Sequence, residues 1–322
     1  MKLPIDKFVP ALLLMILIAR IFPEPAVSEG PINLHTIGDI GITLIFLFYG
    51  LKLNPKKLRQ DLSNWKLHLL VQTATFIFFP LLVLPFYYAF EDSSHHLLWL
   101  GALFLAALPS TVSSSVVMTS IAKGNVPGAI FNASISSLIG ILLTPLWMSL
   151  VITTGQTQAG DFSHIILKLI LQVLVPVFGG LLLNRFFGHW AQKNARFLKL
   201  FDQATILLIV YLSFAESFHQ KLFANTKLLH LSLVILLTTV LFFLIYGIIS
   251  LLSKKLKFNR EDRITALFAG SKKSLVHGTV MAGILFQGVT GVGVILLPLM
   301  IYHALQLIYT GLIAQRLSRT SS

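Results

Sequence analysis

The chain has 322 residues, of which 55% are hydrophobic and only 11% are charged. A soluble domain of this length does not contain so many apolar runs, so the composition predicts an integral membrane protein. The net charge of +13 does not indicate a nucleic-acid partner, because the basic residues fall in alternate loops, and the lack of cysteine excludes disulfides and thiolate metal sites.

Ten apolar segments long enough to cross a bilayer, whose hydrocarbon core is about 30 Å thick, follow one another along the chain. The first resembles a signal peptide, but it lacks a convincing small-residue cleavage site and is followed by further spans. We therefore interpret it as a retained helix. The ten predicted spans are residues 8–22, 36–51, 67–90, 97–122, 127–152, 163–187, 203–220, 228–253, 264–286 and 290–315.

The loops between these spans alternate in charge. Lys and Arg concentrate between the second and third, the sixth and seventh, and the eighth and ninth spans, whereas residues 23–34, 91–96 and 153–164 contain acidic residues but neither Lys nor Arg. The positive-inside rule predicts a multi-pass protein of the cell membrane with both termini in the cytoplasm. Five spans in each half predict a single transmembrane domain made of two inverted repeats, residues 1–155 and 156–322.

The fourth predicted span is interrupted by Leu-Pro-Ser-Thr-Val-Ser-Ser-Ser at residues 108–115. Proline removes a backbone donor and clashes with the preceding turn, so the helix is expected to break there. Freed carbonyls and clustered hydroxyls can coordinate a desolvated ion or a substrate. The N-terminus of the following half-helix offers N–H groups and a positive dipole to an anion. A proline kink that lets helices pack closely is the alternative. The candidate residues are Thr111, Ser113, Ser114 and Ser115.

The ninth predicted span has a corresponding interruption, Ala-Gly-Ser-Lys-Lys-Ser at residues 269–274. A charged side chain inside a span costs about 2.5–3.5 kcal/mol on insertion scales and by default marks a functional site. Adjacent lysines point about 100° apart on a helix, so one is expected to face a central cavity and the other to contact carbonyls, a buried acid or water. The alternative is that this stretch is a loop and that the spans are miscounted. The candidate residues are Ser271, Lys272, Lys273, Ser274 and His277.

Polar residues in other spans are weaker candidates. Asn132 and Ser136 lie one turn apart on one face of the fifth span and are expected either to line the first break or to bond between helices. Thr75 is a similar candidate, and His303 and Gln306 are expected to form interhelical bonds. Two breaks at matching positions of two halves are typical of secondary transporters, because backbone leaves a helix inside the bilayer only where protein or a water-filled cavity satisfies it.

These motifs resemble the bile acid:sodium symporter superfamily, solute carrier family 10, and in particular the SBF-like branch that includes its seventh member. The resemblance covers essentially the whole chain. It rests on residues 109–119 and 269–274, supported by residues 124–125, 131–134 and 143–145. It implies an all-α membrane protein of ten transmembrane helices with a panel and a core, in which the discontinuous fourth and ninth helices cross. Substrates of the family are typically organic anions, and sodium binds beside the crossing.

The chain departs from the family's sodium-ligand pattern, which is Glu-x-Gly-x-Gln-Asn-Ser in the ninth helix. Phe268 stands at the acidic position, Lys272 stands at the glutamine, Ser115-Val116 replaces a Ser-Asn pair, and Thr75 aligns with a glutamine of the third helix. A protonated lysine cannot ligate a cation. The usual sodium sites are therefore expected to be largely lost, with an ammonium holding the crossing closed in place of sodium, although hydroxyls near the first break could still hold one ion.

The predicted function is secondary active transport of a small organic anion by alternating access, with Lys272 neutralising the anion and neighbouring hydroxyls donating hydrogen bonds. The expected partners are the substrate, the lipid bilayer and a proton or sodium as coupling ion, with no nucleic acid, cofactor or enzymatic activity. A non-transporting membrane regulator or ligand sensor on the same fold is the alternative. A third hypothesis, an intramembrane hydrolase that pairs Ser113 with Lys272, has no recognisable hydrolase motif behind it.

Overall fold

The computed structural model describes residues 8–27, 33–52, 64–93, 95–152, 167, 170–223 and 228–319. Every regular element within these ranges is a helix, as an all-α protein requires. Two of the elements are short π-helical turns, Ala74–Phe78 and Ile170–Leu174. The α-helices are α1 (Phe8–Ile21), α2 (Glu24–Val27), α3 (Leu34–Lys52), α4 (Trp65–Thr73), α5 (Phe79–Ala89), α6 (His96–Ala107), α7 (Ser113–Ile121), α8 (Val126–Ile152), α9 (Val175–Lys193), α10 (Ala195–His219), α11 (Leu228–Lys255), α12 (Arg260–Gly270), α13 (Leu275–Leu285) and α14 (Val292–Arg319).

Seven helical segments in these ranges are long and apolar enough to cross a membrane. They are α3, most of α8, α10, most of α11, α14, the continuous segment Trp65–Ala89, and the segment Ile170–Lys193, which is α9 with its π turn. The first predicted span is the 14-residue α1, and the fourth and ninth each consist of two shorter helices. The count of ten spans and the inverted repeats therefore stay predictions. Residues 153–164 and the first residues of the sixth predicted span lie outside the described ranges.

The π turn between α4 and α5 has a cause in the sequence. Pro80 has no N–H, so it cannot donate to the carbonyl of Phe76 four residues earlier. The indole of Trp147 donates to that carbonyl instead, at 2.8 Å. A local widening of the helix commonly accompanies such a defect and frequently lies at a functional site. The turn also includes Thr75, whose carbonyl enters the site described below.

The chain divides into two compact units. Unit 1 comprises Met1–Asn54, Ser149–Thr226 and Thr279–Leu296. In unit 1, α3 and α9 touch backbone to backbone, because a Cβ at Gly50 would lie 2.2 Å from the carbonyl oxygen of Val177 and a Cβ at Gly180 would lie 2.1 Å from that of Leu47. Small residues allow this close approach between membrane helices.

Unit 2 comprises Pro55–Met148, Lys227–Gly278 and Leu297–Ser322. It contains α4 to α7, nearly all of α8, α11, α12, the first turn of α13 and most of α14. Both interrupted helices therefore have their breaks in this one unit. All twelve candidate residues identified in the sequence also lie within it.

Candidate functional site

The first break separates α6 from α7. Leu108 is extended (φ −71°, ψ 154°), as expected for a residue that precedes proline, and α7 begins at Ser113. The N–H of Ser110 leaves the helical ladder and donates to the hydroxyl of Ser136 in α8 at 2.9 Å. The hydroxyl of Ser110 donates to the carbonyl of Ala269 at 2.5 Å. The break is therefore held on two sides by other elements of unit 2.

The second break separates α12 from α13. The side-chain amide of Gln306 in α14 makes two hydrogen bonds with the backbone of Lys273. Its oxygen accepts from the Lys273 N–H at 2.9 Å, and its nitrogen donates to the Lys273 carbonyl at 2.8 Å. The phenol of Tyr302 donates to the carbonyl of Ser271 at 2.7 Å. These bonds replace the ones that a continuous helix would make, which is what a break in an apolar environment needs. The interhelical role predicted for Gln306 is confirmed.

The two breaks bond directly to each other. The N–H of Ser274 donates to the carbonyl of Pro109 at 2.9 Å, and the hydroxyl of Ser115 donates to the carbonyl of Phe268 at 3.1 Å. With the Ser110 bond to Ala269, three hydrogen bonds join residues at the first break to residues at the second. The predicted interruptions are thus confirmed, and the two of them form one continuous polar centre.

Lys273 is fully buried, and its ammonium is surrounded by acceptors. Its Nζ donates to the carbonyls of Thr75 at 2.7 Å, Ala106 at 2.6 Å and Leu108 at 2.8 Å. The ring of Phe79 lies with its centroid 4.1 Å from the same nitrogen. An ammonium has three donors, and all three are used here. We call these three carbonyls the carbonyl cage.

The carbonyl cage is built from helix irregularities. Ala106 lies in the last turn of α6 and Leu108 follows its end, where the chain turns away; the N–H of Ser110, which a continuous helix would direct to the Ala106 carbonyl, bonds to Ser136 instead. Thr75 belongs to the π turn. The C-terminal end of a helix also carries partial negative charge, which favours a cation. The cage therefore has the chemistry of a monovalent cation site, and a tethered ammonium occupies it.

Lys272 is also fully buried, but its environment is different. Among the described residues its Nζ makes one hydrogen bond, to the carbonyl of Ser114 at 2.9 Å. The hydroxyl of Ser114 is buried and has no hydrogen-bond partner in the described part of the chain. Ser114 lies in the first turn of α7, whose N-terminal end carries partial positive charge. Two ammonium protons of Lys272 and the hydroxyl of Ser114 thus have no acceptor among the described residues.

The other predicted site residues lie in several environments. The hydroxyl of Thr75 donates to the carbonyl of Val71 at 2.8 Å, so its carbonyl and not its side chain faces the site. Thr111 is partly buried and Ser113 is exposed. The hydroxyl of Ser271 donates to the carbonyl of Leu267 at 2.6 Å, within its own helix.

Four further candidates have polar partners within unit 2. The hydroxyl of Ser274 lies 3.0 Å from Nδ1 of His277 and also accepts from its N–H, as a helix N-cap does. Asn132 contacts His68 at 2.9 Å and Gln72 at 3.2 Å, so it joins α4 to α8 and does not reach either break. Ser136, one turn later, does reach the first break through Ser110.

Sequence reasoning did not single out Ser110, Phe79 and Tyr302, which all contact the centre. Ser110 had a signal, because it follows the helix-breaking proline directly and lies within the hydroxyl-rich motif. Phe79 and Tyr302 had none, because an aromatic residue in an apolar span is usually a packing residue. Their roles depend on which side chain the folded helices place beside them.

Phe268, at the position where sodium-coupled members have an acid, is fully buried in an apolar cluster with Met118, Ala122, Ile264 and Ala314. An apolar cluster offers no oxygen ligand from its side chains to a cation. The carbonyl of Phe268 accepts a hydrogen bond from the hydroxyl of Ser115. The geometry therefore agrees with the expected loss of the acidic ligand.

Comparison with known proteins gives a consistent result. Residues 6–319 match the SBF-like CPA transporter family. An uncharacterized protein of Pseudomonas aeruginosa is 39% identical over 314 residues, which are 98% of this chain and 93% of that protein. YfeH of Escherichia coli is 34% identical over 98% of this chain and 93% of its own length. The sodium/bile acid cotransporter 7 of Danio rerio is 32% identical over 94% of this chain and 90% of that protein.

Proposed function

Since the chain belongs to the SBF-like CPA transporter family, we propose that it moves a small organic anion across a membrane by alternating access. The family match confirms the resemblance carried by residues 109–119 and 269–274. With its apolar helices, the chain is a multi-pass membrane protein and a transporter, not an enzyme. The substrate, the coupling ion and the mechanism are the parts that we infer.

The environment of Lys272 is the observation that carries the proposal. Burying an ammonium that makes only one hydrogen bond costs free energy, and such a charge inside a membrane helix usually marks a functional site. An anion beside Lys272 and the Ser114 hydroxyl would satisfy both groups and neutralise the charge. The name of the zebrafish relative, a bile acid cotransporter, agrees with an organic anion as substrate.

Lys273 suggests why sodium is not needed at the centre. Its ammonium supplies a fixed positive charge to three carbonyls, which is the contribution that a bound sodium ion would make. We infer that the usual sodium sites are largely lost and that the two breaks stay joined without a dissociable cation. Coupling then falls to a proton, through a change in the protonation of Lys272, or to the membrane potential.

The burial of the site supports alternating access. Lys272 and Lys273 are both fully enclosed, so an anion reaches them only when the surrounding helices move. We assign unit 2, which holds both breaks, to the core of the family fold and unit 1 to the panel. In this proposal the ten spans form two inverted repeats in the cell membrane.

The test is uptake by purified protein in liposomes. A thermal-shift screen of carboxylates, sulfonates and phosphates first identifies an anion that binds, and its uptake is then measured under sodium, pH and voltage gradients. We expect uptake without sodium, its loss in Lys272→Gln and partial retention in Lys272→Arg, which keeps the charge. Uptake that strictly requires sodium and survives Lys272→Gln would contradict the proposal. Monodisperse elution of each variant controls for folding.

A further inference from the structure

Unit 2 contains a deep apolar groove that includes none of the residues of either break. Its volume is about 620 Å³, and it is walled by α5, α6 and α11, with Pro298 of α14 among its lining residues. Its lining, as far as the described chain extends, includes no Asp, Glu, Lys or Arg. Cavities that hold small molecules usually measure about 300–1,000 Å³ and are mostly apolar.

The two walls of the groove are of different kinds. On one side Trp99 stacks against both Phe86 and Phe90, with its ring centroid 5.9 Å and 5.0 Å from theirs and the planes within 8° of parallel. On the other side α11 presents aliphatic side chains, among them Leu237 and Val240, which are 40% and 52% exposed. Flat rings opposite flexible aliphatic groups suit a long apolar chain, which gains contacts along its whole length.

Polar groups concentrate at one end of the groove. Ser93 and His95 precede α6, and His230 lies in the first turn of α11. Nε2 of His95 lies 3.1 Å from Nε2 of His230. A neutral imidazole has one donor and one acceptor nitrogen, so in this contact one ring donates to the other, and the accepting ring carries its own N–H on Nδ1. This end is therefore able to donate hydrogen bonds to an anion.

The length of the groove matches one leaflet of a bilayer. From His95 to Leu105 along α6 the rise is about 15 Å, and from His230 to Leu244 along α11 it is about 21 Å, at 1.5 Å per residue. Half of the hydrocarbon core is about 15 Å. The polar end falls at the boundary of the membrane and the apolar part lies within it, because α11 is long and apolar enough to span.

We propose that the groove binds one acyl chain of a membrane phospholipid, with its phosphate beside His95 and His230. The surrounding bilayer supplies this ligand at high local concentration. A second copy of the chain fits less well, because a groove between helices, closed on one side by stacked rings, admits a narrow chain more readily than a helix. The bound lipid would stabilise the position of α6. The carbonyls of Ala106 and Leu108, at the end of this helix, belong to the carbonyl cage.

The test compares two neighbouring substitutions on α11. Leu237 lines the groove, whereas Leu236, which is 57% exposed, does not. Native mass spectrometry of full-length protein, titrated with phosphatidylglycerol in detergent, counts the lipids retained. We expect about tenfold weaker binding of the tightest lipid in Leu237→Trp and no change in Leu236→Trp. Ala102→Phe, which fills the groove from α6, should repeat the Leu237→Trp result if that variant does not fold.

Two results would overturn this proposal. Equal lipid retention in the groove-filling variants and in Leu236→Trp would show that the groove is not the lipid site. A change from dimer to monomer in those variants, with lipid retention unaltered, would make a second copy the occupant. The headgroup assignment has its own control, since His95→Gln combined with His230→Gln should weaken phosphatidylglycerol and leave diacylglycerol unchanged; equal effects on both lipids would refute it.

Discussion

At the scale of single residues, two adjacent lysines differ because their hydrogen-bonding environments differ. Lys273 donates to three carbonyls and faces an aromatic ring, so its buried charge is well compensated. Lys272 has one acceptor among the described residues. A buried charge stabilises a protein only when its donors are satisfied. We therefore expect Lys273 to stabilise the folded protein and Lys272 to bind the ligand.

This difference predicts opposite effects of the same substitution. Lys273→Met removes three hydrogen bonds to a charged group, each of which contributes about 1.5–3 kcal/mol, so the thermal midpoint should fall clearly. Lys272→Met removes a poorly compensated charge, so the midpoint should be unchanged or raised, while anion binding is lost. The measurement is thermal unfolding in detergent, followed by tryptophan fluorescence. Equal destabilisation by both substitutions would show that the two environments are equivalent.

The sequence predicted part of this residue-scale difference. It predicted that adjacent lysines on a helix would not face one pocket and that one of them would contact carbonyls, a buried acid or water. It did not show which one, because the answer depends on carbonyls of Thr75 and Ala106, which lie about 167 to 198 positions away along the chain. The carbonyl of Thr75 faces Lys273 only because of a π turn, and no residue pattern specifies the direction of a single carbonyl.

At the scale of elements, the two helix breaks depend on close packing by small residues. Gly140 of α8 faces the ring of Pro109, and a Cβ there would lie 2.7 Å from the ring's Cβ. The ring is rigid and part of the first break, so it cannot move without disturbing the bond from Ser274 to the Pro109 carbonyl. The sequence located this break because proline and clustered hydroxyls interrupt a helix. It did not indicate that one glycine leaves the space for it.

Gly140→Ala should therefore disturb the site. We expect a lower thermal midpoint and reduced anion uptake, because the added methyl pushes Pro109 away from its contacts. Gly247→Ala in α11 is the matched control, since a Cβ there meets nothing within 4 Å. That substitution should be neutral or stabilising by up to about 1 kcal/mol, as expected for alanine in a helix. Similar losses in both variants would contradict the packing argument.

At the scale of the whole molecule, charge distribution and helix composition decide how the chain crosses the membrane. Apolar length was readable from the sequence, and in the described residues seven long apolar helices coincide with seven of the ten predicted spans. Which segments form each of the two units was not readable, because each unit collects segments from three distant parts of the chain. Such long-range assembly depends on side-chain fit between helices, which hydropathy does not encode.

The topology predicted from charge is directly testable because the chain contains no cysteine. Asp92 follows α5, whereas Lys193 ends α9 and Lys255 ends α11; all three residues are exposed. Since Lys and Arg remain preferentially on the cytoplasmic side, Asp92→Cys should react with a membrane-impermeant maleimide in intact cells. Lys193→Cys and Lys255→Cys should react only after the cells are permeabilised.

The three positions also test the number of crossings. The broken helix α6–α7, α8 and α9 are three crossings between residues 92 and 193, so these two positions must lie on opposite sides if the broken helix spans. Residues 193 and 255 are separated by α10 and α11, so they must lie on the same side. Labelling of residues 92 and 193 from one side would mean that one of the three segments, most simply the broken one, does not cross. That result would contradict the prediction that the broken helix spans the membrane, on which the proposed alternating-access fold depends.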